Sequence, residues 1–150
     1  MESLIFDSGI KEYKINENGV LRFNPSDPSL YGRFVDAMDK IKSVEKEMSE
    51  KAKSAETKQG VELGEAMIRI MCETDKKMKA ILNEVFGHGN NFDNILEGVN
   101  LMAVACNGNR VVTNLLNALH PIMEEGAKAC ASDAVEAAKM NRAARRSVQL

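Results

Sequence analysis

The chain divides at residues 83–100, which read Asn83-Glu-Val-Phe-Gly-His-Gly-Asn-Asn-Phe-Asp-Asn-Ile-Leu-Glu-Gly-Val-Asn100. A helical pattern ends at Phe86-Gly87, a loop rich in glycine and asparagine follows, and a short apolar turn ends at Gly98. Glycine is common just after a helix because it tolerates the left-handed backbone that closes the last turn. The stretch therefore predicts a helix end, a connector and a restart between two helical halves.

Upstream of this block, apolar residues recur every three or four positions over residues 29–55 and again over 61–86, as on one face of a helix. Asp27 is suited to cap the first helix, and Pro28 fits its first turn. Gln59-Gly60 marks a break, so the pattern predicts an antiparallel helical hairpin; one continuous helix over 29–86 is the alternative. The apolar stripe thins to alanine after Met48, which predicts a weakly packed tip.

The N-terminal region carries β-forming residues in place of helical periodicity. The runs 13–15 and 20–23 flank Asn18-Gly19, a dipeptide that favours reverse turns because both residues tolerate positive φ. We therefore predict a β-hairpin, with residues 3–7 as a candidate third strand. An isolated hairpin is marginal in water, so this one should pack on a helix or a partner.

Downstream of the block, Phe92 begins a predicted single helical turn, and residues 99–106 fit either a buried helix or a strand. A further helix is predicted over 110–123, with Pro121 near its end and Gly126 either ending it or lying within a continuing helix. The predicted fold class is mainly α (α+β): an N-terminal β-hairpin, a long helical hairpin and a C-terminal helical part. We expect a domain over 1–126 and an alanine- and arginine-rich helix or mobile tail over 127–150.

Bulk composition gives little indication of a charged partner. The 150 residues carry a net charge of −2, although residues 137–150 contain Lys139, Arg142, Arg145 and Arg146 and no acidic residue. Three cysteines are an odd number, which together with the lack of a signal pattern favours a reducing compartment. No apolar run approaches the roughly 20 residues that a membrane-spanning helix needs. We expect a soluble intracellular protein, with no membrane partner and no nucleic acid as its main ligand.

The residue types that support catalysis or metal binding are scattered along the chain. Cys72, His88, Cys106, His120 and Cys130 lack the short spacings of zinc sites, and neither histidine has an evident orienting partner. The glycines at 87 and 89 lack the lysine and Ser/Thr of a phosphate loop. We therefore predict no catalytic residue, no metal and no cofactor, and a protein that is not an enzyme.

Methionine is the unusual apolar residue here, with nine in the chain and no tryptophan. Because its flexible side chain adapts to different neighbours, methionine suits both irregular cores and tolerant binding surfaces. Two helical stripes are candidates for contact with a client protein: Met38, Ile41 and Met48 on the first helix, and Met67, Met71 and Met78 on the second. The alternative is that the two stripes pack on each other.

Residues 81–100, followed by Leu115-Leu-Asn-Ala-Leu-His-Pro-Ile-Met123, resemble the tail assembly chaperones of long-tailed phages and prophages of Gram-positive bacteria. The start of those proteins is also similar to Phe23-Asn-Pro-Ser-Asp-Pro28 followed by two aromatic residues, so the resemblance spans about residues 23–123. This chain reads Leu-Glu-Gly at 96–98, where the family pattern often reads Phe-Gly. The resemblance assigns a structural role to Phe86, Gly87 and Phe92.

The resemblance implies a protein that binds the tape-measure protein, or another tail protein, and keeps it soluble in the host bacterial cytoplasm during tail assembly. Some helical faces have no evident packing partner within the chain, so a homo-oligomer is also possible. The alternatives are another small phage interaction protein, acting in tail completion or in blocking a host defence, and a DNA-binding regulator that uses the arginine-rich C-terminus.

Overall fold

The computed structural model describes residues 1–87 and 89–149, with side chains described as far as residue 146. The elements in chain order are β1 (Lys11–Ile15), β2 (Gly19–Phe23), α1 (Pro28–Ala55), α2 (Gly60–Phe86), α3 (Phe92–Ile95) and α4 (Val111–Gln149). The predicted class is confirmed: the protein is mainly α, with one small antiparallel sheet at its N-terminal end.

The predicted β-hairpin is present, but its reversal lies elsewhere. Lys11 pairs with Phe23 and Ile15 with Gly19, so residues 16–18 form the loop and Asn16 takes the positive φ of 53°. Gly19 begins β2, where a Cβ would overlap the Ile95 carbonyl oxygen, so its role is close packing. The expectation of a third strand over residues 3–7 is wrong for this chain, since residues 1–10 form no strand.

The predicted helical hairpin and its capping are confirmed. The Asp27 side chain accepts a hydrogen bond from the Ser29 N–H at 2.9 Å, and Pro28 is the first residue of α1. A break over residues 56–59 separates α1 from α2, which excludes one continuous helix. The two helices are antiparallel, because residues further along α1 form ion pairs with residues earlier in α2. The pairs are Lys40–Glu84, Glu47–Lys77 and Lys51–Glu73.

The region after α3 differs from a simple helix or strand. Residues 99–106 form a compact loop in which Val104 makes an isolated bridge with Arg110, whose guanidinium donates to the Met102 carbonyl at 2.7 Å. The final helix α4 is continuous from Val111 to Gln149 and contains both Pro121 and Gly126, so Gly126 does not end it.

One hydrophobic core joins all of these elements except β1, whose tyrosine and isoleucine pack at its margin. Its fully buried side chains include Leu21 of β2, Met78 and Leu82 of α2, Phe92 of α3, Leu101 of the following loop, and Val112 and Met123 of α4. The hairpin therefore packs on helices, as its marginal stability alone requires.

Gly126 sets how closely α4 approaches the start of α1. It is buried, and a Cβ there would overlap the Pro25 carbonyl oxygen. We expect Gly126→Ala to lower the free energy of unfolding by about 2 kcal/mol, because extra volume at a packed site forces the backbone apart. Urea denaturation followed by circular dichroism measures this change.

Gly64 provides the matched control, because it lies within α2 and a Cβ added there would meet nothing within 4 Å. Gly64→Ala should raise stability by about 0.5–1 kcal/mol through helix propensity alone. Equal effects of the two substitutions would contradict the close contact between Gly126 and Pro25.

Candidate client-binding surfaces

The two methionine stripes lie mostly in or against the hydrophobic core. Ile41 is 2% exposed and Met78 is fully buried, and both belong to the core. The other four residues are half-buried. Met38, Met48 and Met71 pack against the core, and Met67 is the fourth. In this conformation Ile41 and Met78 present no surface to a client, and the rest of the stripes present only their edges.

The three motif residues lie where α2 ends and α3 begins. The rings of Phe86 and Phe92 are 5.4 Å apart, and Phe86 meets Phe23 of β2 edge-on at 5.0 Å. Gly87 ends α2 with a φ of 79° and donates its N–H to the Asn83 carbonyl at 2.9 Å. The motif therefore joins the β-hairpin, α2 and α3 through a line of stacked and tilted rings that continues to Tyr13.

Asn90 is a joining residue that sequence reasoning missed. Its buried side-chain amide donates to the Arg22 carbonyl at 2.7 Å and to the Phe86 carbonyl at 3.0 Å, while its oxygen accepts the Arg22 N–H at 3.0 Å. Three backbone groups from two elements thus meet at one side chain. The asparagine-rich loop was visible in the sequence, but asparagine is common in any turn, so the pattern did not single out this residue.

A buried lysine also ties the same region together. Lys79 Nζ lies 3.1 Å from Asp75 Oδ2 and 2.7 Å from Asp93 Oδ1, and the other Asp75 oxygen accepts the Leu101 N–H at 2.8 Å. Burial lowers the pKa of Lys79, but the hydrogen bonds to Asp93 and Asp75 outweigh it, so that pKa lies above its ordinary value. The group links α2, α3 and the following loop, and its role is structural.

At the tip of the helical hairpin, α1 and α2 separate around a cleft of about 670 Å³. Its lining includes Ala55 of α1 and Ala66 of α2, whose short side chains leave space between the helices. Its rim is charged, with carboxylates from Glu47, Glu50, Glu62 and Glu65 and cations from Lys51, Lys58 and Arg69. Because the charges are mixed, the cleft does not select a ligand by charge.

Exposed ion pairs hold the two helices together just inside that tip. Glu47 Oε1 lies 2.8 Å from Lys77 Nζ and 3.2 Å from Lys51 Nζ. Hydrogen bonds from Lys77 and Lys51 lower the pKa of Glu47, and the hydrogen bond to Glu47 raises the pKa of Lys51. These side chains are about half exposed to solvent, so the network links the two helices at the surface and contributes little to stability.

Two segments at the ends of the chain carry exposed apolar side chains. One is the N-terminal arm, residues 1–10, in which Leu4 is 88%, Ile5 91% and Phe6 73% exposed. The other is the distal helix, residues 127–149 of α4, in which every residue from 131 to 146 is exposed, including Val135 and Met140. These two segments offer more apolar surface than the methionine stripes.

The cysteines and the described histidine do not converge. Cys72 and Cys106 are exposed, Cys130 is half-buried, and His120 lies beside Phe34 and Glu124; His88 lies outside the described residues. Over residues 1–87 and 89–149, no three His, Cys, Asp or Glu side chains gather closely enough to hold a metal ion.

Comparison with known proteins returned no match: no protein-family model, no curated protein and no solved structure is similar to this chain. In the described part of the chain, none of the helices combines the length and the hydropathy needed to cross a membrane.

Proposed function

We propose that this chain is a non-enzymatic tail assembly chaperone of a long-tailed phage or prophage, and that it keeps the tape-measure protein soluble in the host cytoplasm. The observation that supports a binding role most directly is the distal helix, which extends from the core with every residue from 131 to 146 exposed. The identity of the client rests on the resemblance carried by residues 81–100 and 115–123.

The distal helix has the properties of a surface that is completed by a partner. A lone helix gains little stability from propensity, and most of the stability of protein helices comes from packing an apolar face. Val135 and Met140 lie five residues apart, about 140° around the helix, so each stands on its own face among alanines. A helix that approaches either face could pack closely against the alanines and cover that larger side chain. An apolar helical segment of a client fits that description.

The charge of the distal helix narrows the description of the client. Lys139, Arg142, Arg145 and Arg146 lie in its last part, where cations also interact favourably with the negative end of the helix dipole. Glu136 is the last acidic residue of the chain. The client segment that suits this surface is an apolar helix with acidic residues at one end.

Coexpression with segments of the tape-measure protein tests the proposal. The wild-type chain should raise the soluble fraction of the client and copurify with it. Burying a valine or methionine side chain contributes about 1.5 kcal/mol or more, so a double variant with Val135→Glu and Met140→Glu should bind the client at least about tenfold more weakly. Calorimetry with the purified chain, or its variant, and the purified client segment measures the affinity.

The control is Val35→Glu, which places one such charge on α1 at a valine that is 45% exposed. It should bind the client like the wild-type chain. A client that aggregates equally with and without this protein would refute the chaperone proposal. A double variant that binds normally would refute the assignment to the distal helix.

A further inference from the structure

The N-terminal arm presents large apolar side chains to water in an extended segment. Leu4, Ile5 and Phe6 are consecutive, and all three are more than 70% exposed. Leucine, isoleucine and phenylalanine favour burial, and isoleucine and phenylalanine are also enriched in β-strands. The arm therefore has the composition of a strand that is buried on at least one face, yet residues 1–10 form no strand in the isolated chain.

The outer edge of β1 has unpaired backbone groups. Both backbone groups of Arg22 bond to Asn90, so they point away from β1. Arg22 pairs with Glu12, and in an antiparallel ladder the two residues of such a pair direct their N–H and C=O groups outward on opposite sides. The same holds for Lys14, two residues along. Because the described sheet has two strands only, this edge lies open.

The arm of the same chain is held away from that edge. The Ser8 carbonyl accepts a hydrogen bond from the Asn24 side chain at 3.1 Å, on the β2 side of the hairpin. The Gly9 N–H is bonded to the Asp7 side chain at 2.8 Å, and Gly9 has a positive φ of 75° just before β1. Pairing with β1 of the same chain would need a reversal within residues 8–10, whereas pairing with a second copy needs the chain to run straight there. Either pairing gives up the Gly9–Asp7 bond.

The charges of the arm and of β1 are complementary. Glu12 is paired with Arg22 at 3.3 Å, whereas Lys11 and Lys14 make no ion pair within residues 1–87 and 89–146. The arm carries Glu2 and Asp7 on either side of its apolar residues. The acidic residues of the arm therefore complement the lysines at the open edge of β1.

We propose that the N-terminal arm of one copy of this chain adds to the outer edge of β1 in a second copy, forming a two-fold dimer. The arm and β1 are consecutive in the chain. When the two copies pair antiparallel about Gly9, the arm of each copy therefore lies along β1 of the other. It places Asp7 of each copy beside the other copy's Lys11, and Ile5 beside Tyr13. Symmetric exchange of this kind closes on itself and leaves no arm unpaired.

Analytical ultracentrifugation of the full chain over a concentration series tests the proposal. The wild-type chain should dimerise. Ile5→Asp should weaken dimerisation by at least about tenfold, because it places a charge in the apolar centre of the arm. Lys14→Pro should do the same, because proline removes the outward N–H without breaking the β1–β2 ladder.

Two controls isolate these effects. Lys14→Ala removes the same side chain but keeps the N–H, and Ile68→Asp introduces the same charge at an isoleucine of α2 that is 63% exposed. Lys14→Ala should dimerise within a fewfold of the wild-type chain, and Ile68→Asp should dimerise normally. Circular dichroism confirms that each variant is folded.

A cross-link tests the register. With the three native cysteines replaced by serine, one copy carries Asp7→Cys and the other Lys11→Cys; mild oxidation of the mixture should give a covalent dimer, and neither variant alone should. A monomer at every concentration refutes the proposal. So does a dimer that is insensitive to both Ile5→Asp and Lys14→Pro, or one that is sensitive to the arm alone. None of these outcomes depends on the client.

Discussion

Replacing Phe92 with alanine should lower the free energy of unfolding by about 4 kcal/mol, because truncating a buried phenylalanine loses its transfer free energy and leaves a cavity. Phe92 has no exposed surface and lies against Phe86, and its N–H donates to the Asn83 side chain at 2.8 Å. Since domains are stable by only about 5–15 kcal/mol, the loss would be a large part of the total. Urea denaturation followed by circular dichroism gives the value.

Ile68→Ala is the control for that experiment, because Ile68 is a large apolar residue on the exposed face of α2. Its effect should stay within about 0.5 kcal/mol, as expected for surface substitutions. A loss below about 1 kcal/mol for Phe92→Ala would show that α3 is not packed as described.

Lys79→Met should lower the free energy of unfolding by about 3 kcal/mol, because it leaves the buried carboxylate of Asp75 without its cation. The control is Lys77→Met on the same helix, which removes an exposed lysine from its ion pair with Glu47. Exposed pairs contribute less than about 1 kcal/mol, so this control should change little. Similar effects at both positions would contradict a buried role for Lys79.

The same lysine should give the protein a characteristic alkaline response. The pKa of Lys79 is raised in the folded state, so its stabilising contribution is complete at neutral pH. That contribution is lost as the pH rises above about 10.4, the ordinary pKa of lysine, and through the higher folded-state value. The stability difference between the wild-type chain and Lys79→Met should therefore shrink at high pH.

Local signals account for most of the fold that the sequence predicted. The cap at Asp27, the proline after it and the glycine at position 60 act on the backbone of their own neighbours, so they could be located without knowing the rest of the structure. Periodic apolar residues identified α1 and α2 for the same reason. The predicted position of the hairpin loop was wrong because Gly19 packs against the carbonyl of Ile95. That contact is distant in the sequence, so the local pattern does not show it.

Long-range contacts account for what the sequence could not supply. Asn90 and Lys79 are polar residues whose burial depends on groups from other elements, and neither has a distinctive neighbour in the sequence. The methionine stripes could have faced a client or each other; the fold places Ile41 and Met78 in the core. The exposure of the arm and of the distal helix likewise depends on which faces the other elements leave uncovered.

Adjacent residues anchor both exposed segments of this protein. Asn24 holds Ser8 at the base of the N-terminal arm, and Pro25 contacts Gly126, near the point where α4 leaves the core. If the arms join two copies as proposed, the dimer carries two of the proposed client-binding helices. A long client with repeated apolar segments would then be bound at two sites, and the second binding event would gain from a high effective concentration. Weak single contacts would in this way add up to avidity.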